Sequence, residues 1–185
     1  MGHRHIKSTC RIHFGVQAYE HRDAGAVMHS HSMNAVLATM LDPTAYTFSC
    51  THLEMMKGIV GHGFYDSMEV PIIENTAREC ELTERMRAAM LAHPRASAVL
   101  VRRHGVYVWG KTWIEAKTQA ECYDYLFGIA VQMAGMGVDA RLAPAPLPLT
   151  ALAEHENARN GAINGIAGAK RTLAQPNGAL SLPCL

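Results

Sequence analysis

The sequence of 185 residues lacks an excess of either charge sign. It carries 17 Lys and Arg against 16 Asp and Glu, a formal net charge of +1. A chain without a basic excess has little general attraction for nucleic acid or for an anionic membrane surface. We therefore expect neither nucleic acid nor a membrane as a partner, and any recognition must depend on a local site.

The chain also lacks a long apolar run and any paired cysteine motif. Its longest apolar stretch, 126–138, is interrupted by Gln132 and by glycines, and it is shorter than the roughly 18 residues that a membrane span needs. No secretory signal pattern precedes it. The five cysteines are scattered and odd in number, which is typical of reduced thiols. These absences predict a cytoplasmic protein without a disulfide framework.

What the chain does contain is typical of one globular domain. Apolar residues make up 49% and charged residues 18%, enough to bury a core. Strand-like runs alternate with amphipathic helical segments, which predicts an α/β fold. After Arg141 the sequence becomes rich in Pro, Ala and Gly, and large apolar side chains are few. We predict a domain over residues 1–141 and a C-terminal tail of low order over residues 142–185.

Local patterns predict most of the elements. Val70 to Ile73 is expected to be a brief edge strand, because its proline cannot donate to a central ladder. Capping boxes at Thr76 and Thr112 predict two helix starts. The remaining predicted elements are a strand at 24–28, a helix at 34–41, a strand at 46–50, a helical turn capped by Thr51, and two adjacent strands joined at His104-Gly105.

Two histidines end the first predicted strand. His29 and His31 point to the same face of a strand, and their spacing suits two ligands of one tetrahedral zinc ion. Alone the pair is a weak signal, since His3 and His5 repeat it and histidines that only form structural hydrogen bonds are the alternative. Position strengthens the metal hypothesis. His104 lies at the bend between two further strands, and strand ends are where α/β proteins build sites.

Three neutral imidazoles would leave a fourth zinc position open, which is the catalytic arrangement. Such a site needs a base, and Glu54 is a candidate, the alternative being an acid that only stabilises the first turn of a helix. Cys10 is a weaker candidate, because a lone cysteine is usually a small buried apolar residue. Arg102 and Arg103 are candidates for holding a phosphate, although such pairs are more often one solvated and one paired side chain.

Several segments together carry a family resemblance. They resemble the methylthioribulose-1-phosphate dehydratases, a family within the class II aldolase/adducin superfamily. The resemblance covers about residues 8–138, and the part that continues to residue 127 indicates the dehydratases in particular. The segments are Ala24-Gly-Ala-Val-Met-His-Ser-His-Ser, Thr51-His-Leu-Glu-Met-Met-Lys-Gly, Val70-Pro-Ile-Ile-Glu-Asn-Thr, Leu100-Val-Arg-Arg-His-Gly-Val-Tyr-Val-Trp-Gly-Lys-Thr-Trp and Glu121-Cys-Tyr-Asp-Tyr-Leu-Phe.

The resemblance implies an α/β/α sandwich around a mainly antiparallel central sheet. It implies a zinc ion (Zn²⁺) bound by His29, His31 and His104, with Glu54 as the catalytic acid and base and Cys10 near the substrate. The implied reaction is dehydration of a small phosphorylated sugar, 5-methylthioribulose 1-phosphate, to 2,3-diketo-5-methylthiopentyl 1-phosphate in methionine salvage. The implied assembly is a homotetramer.

Two other functions stay open. The same constellation serves class II sugar-phosphate aldolases, and adducin-like relatives keep the fold as interaction proteins without the metal ligands.

The resemblance further implies a glycine-rich N-terminal segment that helps to hold the substrate phosphate, and we expect this chain to start after that segment. The expectation is therefore an N-terminally truncated domain with weak catalysis. Around Cys10, Cys10-Arg-Ile-His-Phe departs from the family's usual Cys-Thr-Pro-Leu-Phe.

Overall fold

The computed structural model describes residues 17–146, together with residues 148, 150, 158 and 159. Residues 17–22 are helical, and two short 3-10 turns cover Glu54–Gly58 and Glu79–Leu82. The strands are β1 (Ala26–Ser30), β2 (Thr47–Thr51), β3 (Ser67–Ile73), β4 (Ala98–Val101) and β5 (Gly105–Gly110). The helices are α1 (Met33–Ala38), α2 (Thr83–Ala92) and α3 (Trp113–Gly135).

The five strands form one mixed sheet in the order β1-β5-β4-β3-β2. Three neighbouring pairs are antiparallel, and only β3 and β4 run parallel. The architecture is α/β with a mostly antiparallel sheet, as the sequence patterns and the resemblance predicted. β1 and β5, the two strands that carry or border the predicted site histidines, are direct neighbours.

Helices cover both faces of the sheet. Successive strand residues point to opposite faces, so β3, β4 and β5 each supply residues to two separate apolar clusters. Val106 and Val108 of β5 join one cluster with Phe127 of α3 and the buried alanines of α1. Tyr107 and Trp109 join the other cluster, which holds the buried methionines of α2. The result is the expected α/β/α sandwich.

The edge position predicted for the proline-containing strand is wrong. β3 pairs with β2 on one side and with β4 on the other. Pro71 lies opposite Thr47, and pairing with β4 begins only at Ile72. The missing N–H of Pro71 therefore removes no bond from the β3–β4 ladder. A proline just ahead of a ladder is compatible with an interior strand.

The predicted capping box at Thr76 does not form. The hydroxyl of Thr76 donates to the carbonyl of Arg78, and α2 begins only at Thr83, after a 3-10 turn. The predicted cap by Thr51 is wrong as well. Its hydroxyl donates to the carbonyl of Asp66, and the turn that follows starts without a side-chain cap. Short polar side chains found other backbone partners in both places.

The capping box at Thr112 is present. Its hydroxyl oxygen accepts a hydrogen bond from the backbone N–H of Glu115, and the helix runs on to Gly135. Tyr123 and Phe127, four residues apart on one face of this helix, are fully buried. α3 is therefore the long helix that supports the sheet behind β1 and β5.

The chain divides into two units, Met1–Pro144 and Ala145–Leu185. The predicted tail over 142–185 falls almost wholly outside the described residues, and its low order stays a prediction. The pair His3 and His5 also lies outside them. No helix in the described part of the chain is long and apolar enough to cross a membrane.

Candidate metal centre

Three histidines from neighbouring strands meet at one end of the sheet. His29 lies in β1, His31 follows the end of β1, and His104 immediately precedes β5. β1 and β5 are antiparallel, with Ser30 opposite Val106. Antiparallel pairing puts the end of one strand beside the start of the other, so His104 comes next to His31.

The imidazole rings converge on a common point. One ring nitrogen from each histidine lies within 4.8 Å of the other two. Nε2 of His31 and Nε2 of His104 are 3.0 Å apart, and the ring of His29 stacks on Tyr107 with centroids 4.0 Å apart. Bonds of about 2.0–2.1 Å to a tetrahedral ion would separate two ligand nitrogens by about 3.3 Å. The spacing therefore suits one shared metal ion.

Hydrogen bonds to the outer ring nitrogens favour ligation by the inner ones. Nδ1 of His29 lies 3.0 Å from the carbonyl oxygen of Val106, and Nδ1 of His104 lies 3.1 Å from Oδ1 of Asn75. Both partners are acceptors, so each Nδ1 donates its hydrogen and each Nε2 keeps a lone pair. Metal-binding histidines in proteins are held in this way. The donor set of three neutral imidazoles fits a divalent ion such as zinc.

Gly105 permits the close approach of β1 and β5. A Cβ added at this residue would lie 2.1 Å from the carbonyl oxygen of Ser30 and 3.1 Å from Cα of His31. No side chain fits in that space. The sequence pattern had indicated only a bend at His104-Gly105, whereas the structure shows a position where a side chain would push the two histidine-bearing segments apart.

α3 anchors the segment that follows His31. The hydroxyl of Ser32 donates to the carboxylate of Asp124, and the side-chain amide of Asn34 donates to the same carboxylate at 3.0 Å. The Ser32 oxygen also accepts from the backbone N–H of Ala35 and so caps α1. Sequence reasoning missed Asp124 as an anchor. The available signal was its place in the 121–127 segment that carries the family resemblance.

Glu54 is not a member of the histidine cluster. It begins the 3-10 turn that follows β2, its side chain is 71% exposed, and its carboxylate lies 2.8 Å from Nζ of Lys57. Within the described residues, the cluster of possible metal ligands contains the three histidines alone. The role of Glu54 as acid and base stays a prediction. Cys10 lies outside the described residues.

The guanidinium of Arg102 forms hydrogen bonds within the fold. It donates to the carboxylate of Glu74 at 2.7 Å and to the backbone carbonyls of Thr39 and Ala45 at 2.9 and 2.6 Å. Arg103 is exposed and takes a left-handed backbone conformation with φ of 54°. The pair thus follows the structural alternative, in which one arginine is paired and the other solvated.

Comparison with known protein families identifies the class of protein to which this α/β fold belongs. The family model for the Class II Aldolase and Adducin N-terminal domain matches residues 2–131, and the chain belongs to this family.

Among curated proteins, the chain is similar to a bifunctional methylthioribulose-1-phosphate dehydratase/enolase-phosphatase E1 of Physcomitrium patens. The two are 56% identical over 138 residues, which is 73% of this chain and 27% of the relative. It is also similar to a methylthioribulose-1-phosphate dehydratase of Drosophila grimshawi, with 57% identity over 139 residues, 72% of this chain and 60% of the relative. The chain thus spans about a quarter of the first relative's length and three fifths of the second's.

Among solved structures, the chain resembles an L-fuculose 1-phosphate aldolase. The TM-score is 0.54 and the sequence identity is 20%, over 76% of this chain and 58% of that one. At this identity the similarity concerns the fold alone.

Proposed function

We propose that this protein is a hydro-lyase that dehydrates 5-methylthioribulose 1-phosphate to 2,3-diketo-5-methylthiopentyl 1-phosphate in methionine salvage. The observation that carries the proposal is the convergence of His29, His31 and His104 on one point. The identity of 56–57% to relatives named methylthioribulose-1-phosphate dehydratase supports this reaction over the others of the family.

The proposed metal is zinc, held by Nε2 of His29, His31 and His104. The hydrogen bonds from Nδ1 of His29 and of His104 to fixed acceptors support this arrangement, because they leave both Nε2 atoms able to bind. Zinc bound at such a site supplies a Lewis acid that polarises a substrate carbonyl.

Glu54 is proposed to move the protons of the reaction. Its carboxylate would take the proton from C3 of the substrate and give one to the hydroxyl that leaves C4, so that water departs and the resulting enol becomes the diketone. Glu54 now pairs with Lys57 on the surface, and exposed ion pairs of this kind contribute little free energy. The carboxylate can therefore leave Lys57 for a substrate at small cost.

Three further features complete the proposal. The resemblance supports a place for Cys10 near the substrate and a homotetrameric assembly, and the exposed apolar side chains of Met33 (73%) and Trp113 (67%) are consistent with surfaces that partner subunits cover. The free thiols of Cys50 and Cys122 support a reducing compartment, the cytoplasm.

The test is a product assay on zinc-loaded protein. We expect 5-methylthioribulose 1-phosphate to be converted to the diketone, with loss of activity in a His104→Ala variant. Fuculose 1-phosphate and rhamnulose 1-phosphate serve as competing substrates. Cleavage of either into a triose phosphate and an aldehyde would identify an aldolase instead. A protein that binds no metal and converts none of the three would support the adducin-like alternative.

A further inference from the structure

Asn75 lies just after β3 and carries a side-chain oxygen with two hydrogen-bond partners. Its Oδ1 is 3.1 Å from Nδ1 of His104 and 2.9 Å from the backbone nitrogen of Thr76. A backbone N–H can only donate, so the atom that faces it must be the amide oxygen rather than the amide nitrogen. The second bond thereby determines the orientation of the amide.

The orientation of this amide determines which nitrogen of His104 carries the hydrogen. Because the oxygen of Asn75 is an acceptor, Nδ1 of His104 is the donor of their hydrogen bond. A neutral imidazole protonated at Nδ1 has its lone pair on Nε2. Nε2 of His104 is the atom that lies 3.0 Å from Nε2 of His31. The opposite tautomer would direct an N–H into the centre of the cluster, where a ligand lone pair is needed.

We propose that Asn75 is a positioning residue of the metal centre, which holds His104 in the Nδ1-protonated form and fixes the rotation of its ring. The inference rests on the proposed metal site, and it does not depend on the substrate or the reaction. The carbonyl of Val106 does the same for His29, but it belongs to the backbone, so substitution cannot remove it. Asn75 is a side chain and can be tested directly.

The surroundings of Asn75 separate this role from a general contribution to stability. The residue is exposed and belongs to neither apolar cluster, so replacing it leaves the core intact. Its neighbour Thr76 forms a bond of its own to the carbonyl of Arg78 and makes a matched control. If Asn75 had a purely structural role, substitutions at Asn75 and at Thr76 could each lower stability, but neither would change zinc affinity.

The experiment measures zinc affinity of the full chain by competition with a chromogenic chelator. Asn75→Ala is expected to weaken zinc binding by about 10–100-fold, the usual effect of losing such a partner. Asn75→Leu, which keeps the size without the acceptor, should do the same, and circular dichroism checks that both variants fold. Asn75→Asp, which keeps an acceptor oxygen, should restore affinity to near the wild-type value. Thr76→Ala should leave it unchanged.

A second readout is the ¹⁵N chemical shifts of the His104 ring in the metal-free protein. The wild type should show a protonated Nδ1, and Asn75→Ala should show a mixture of the two tautomers. Wild-type affinity in both Asn75→Ala and Asn75→Leu, with an unchanged tautomer, would overturn the inference while leaving the metal site in place. A wild-type protein that binds no zinc would overturn both. Zinc binding without dehydratase activity would overturn the proposed reaction alone.

Discussion

Nε2 of His31 lies 3.0 Å from Nε2 of His104, although 73 positions of the chain separate the two residues. The antiparallel pairing of β1 with β5 produces this contact, since it sets the end of one strand beside the start of the other. Neither strand alone presents more than part of a metal site. Zinc affinity should therefore fall when a ligand is replaced, and also when a substitution disturbs the contact between β1 and β5.

Replacing His31 or His104 by Ala should abolish tight zinc binding. Each substitution removes a proposed ligand, so the loss should exceed the 10–100-fold that follows from losing a hydrogen-bond partner of a ligand. His93→Ala is the matched control, because His93 caps the end of α2 and is not part of the cluster. The measurement is metal content after dialysis, followed by chelator competition. Equal zinc content in all three variants would contradict the proposed site.

Gly105→Ala should destabilise the protein and weaken zinc binding together. The added Cβ would meet the carbonyl oxygen of Ser30 at 2.1 Å, so the strands must separate, and overpacking of this kind typically costs about 1–3 kcal/mol. Gly135→Ala is the control, because a Cβ there meets nothing within 4 Å and alanine favours the helix. Urea denaturation and zinc titration check both effects. Unchanged zinc affinity in Gly105→Ala would show that zinc binding does not depend on the close approach of β1 and β5 at this residue.

Glu54→Gln should leave zinc bound and lower turnover by about 10²–10⁴-fold, the range expected for loss of a general acid or base. The amide keeps the size and polarity of the side chain but cannot carry the proton. Glu84→Gln is a close control, since Glu84 also forms an exposed ion pair with a residue three positions later, Arg87. Steady-state kinetics on zinc-loaded protein gives the comparison. Loss of zinc along with activity would make Glu54 a ligand, and full activity would remove it from the mechanism.

Gln119→Leu should lower the free energy of unfolding substantially. Gln119 is 1% exposed, and its amide bonds the backbone N–H of Val60, the hydroxyl of Ser97 and the carbonyl of Trp109. Leucine would leave the buried carbonyl of Trp109 without its side-chain donor, at about 1–3 kcal/mol, and would remove the acceptor shared by Val60 and Ser97. The same substitution at the exposed Gln132 of α3 should have little effect. Thermal and urea unfolding provide the test, and equal stability of the two variants would contradict it.

Cys50 should resist alkylation in the folded protein at pH 8. Burial raises the pKa of its thiol to about 12, so the thiol stays protonated until the pH approaches that value, and the thiolate is the reactive form. Cys80 is exposed and should react before Cys50 and Cys122, which are buried. Peptide mapping after treatment with iodoacetamide, with and without urea, measures each site separately. Rapid labelling of Cys50 without urea would mean that the strand is not buried as described.

Local sequence determined the parts of the fold that local physics controls. Two runs rich in β-branched and aromatic residues predicted the strands around His104, because such side chains favour the extended backbone. Thr112 and Glu115 predicted the start of α3, because the cap and its partner lie within one turn of each other. The candidate histidines were found for the same reason, since His29 and His31 share a face of one strand.

Tertiary structure decided what depends on residues far apart in the chain. The interior position of Pro71 follows from where β4 begins to pair, which no local rule contains. The need for glycine at position 105 comes from Ser30, 75 residues earlier, and the anchoring of Ser32 comes from Asp124 on α3. The partnership of Asn75 with His104 likewise joins the end of β3 to the start of β5. Sequence supplied the ligand candidates, whereas strand pairing and packing brought them together, because contacts between distant segments depend on the whole fold.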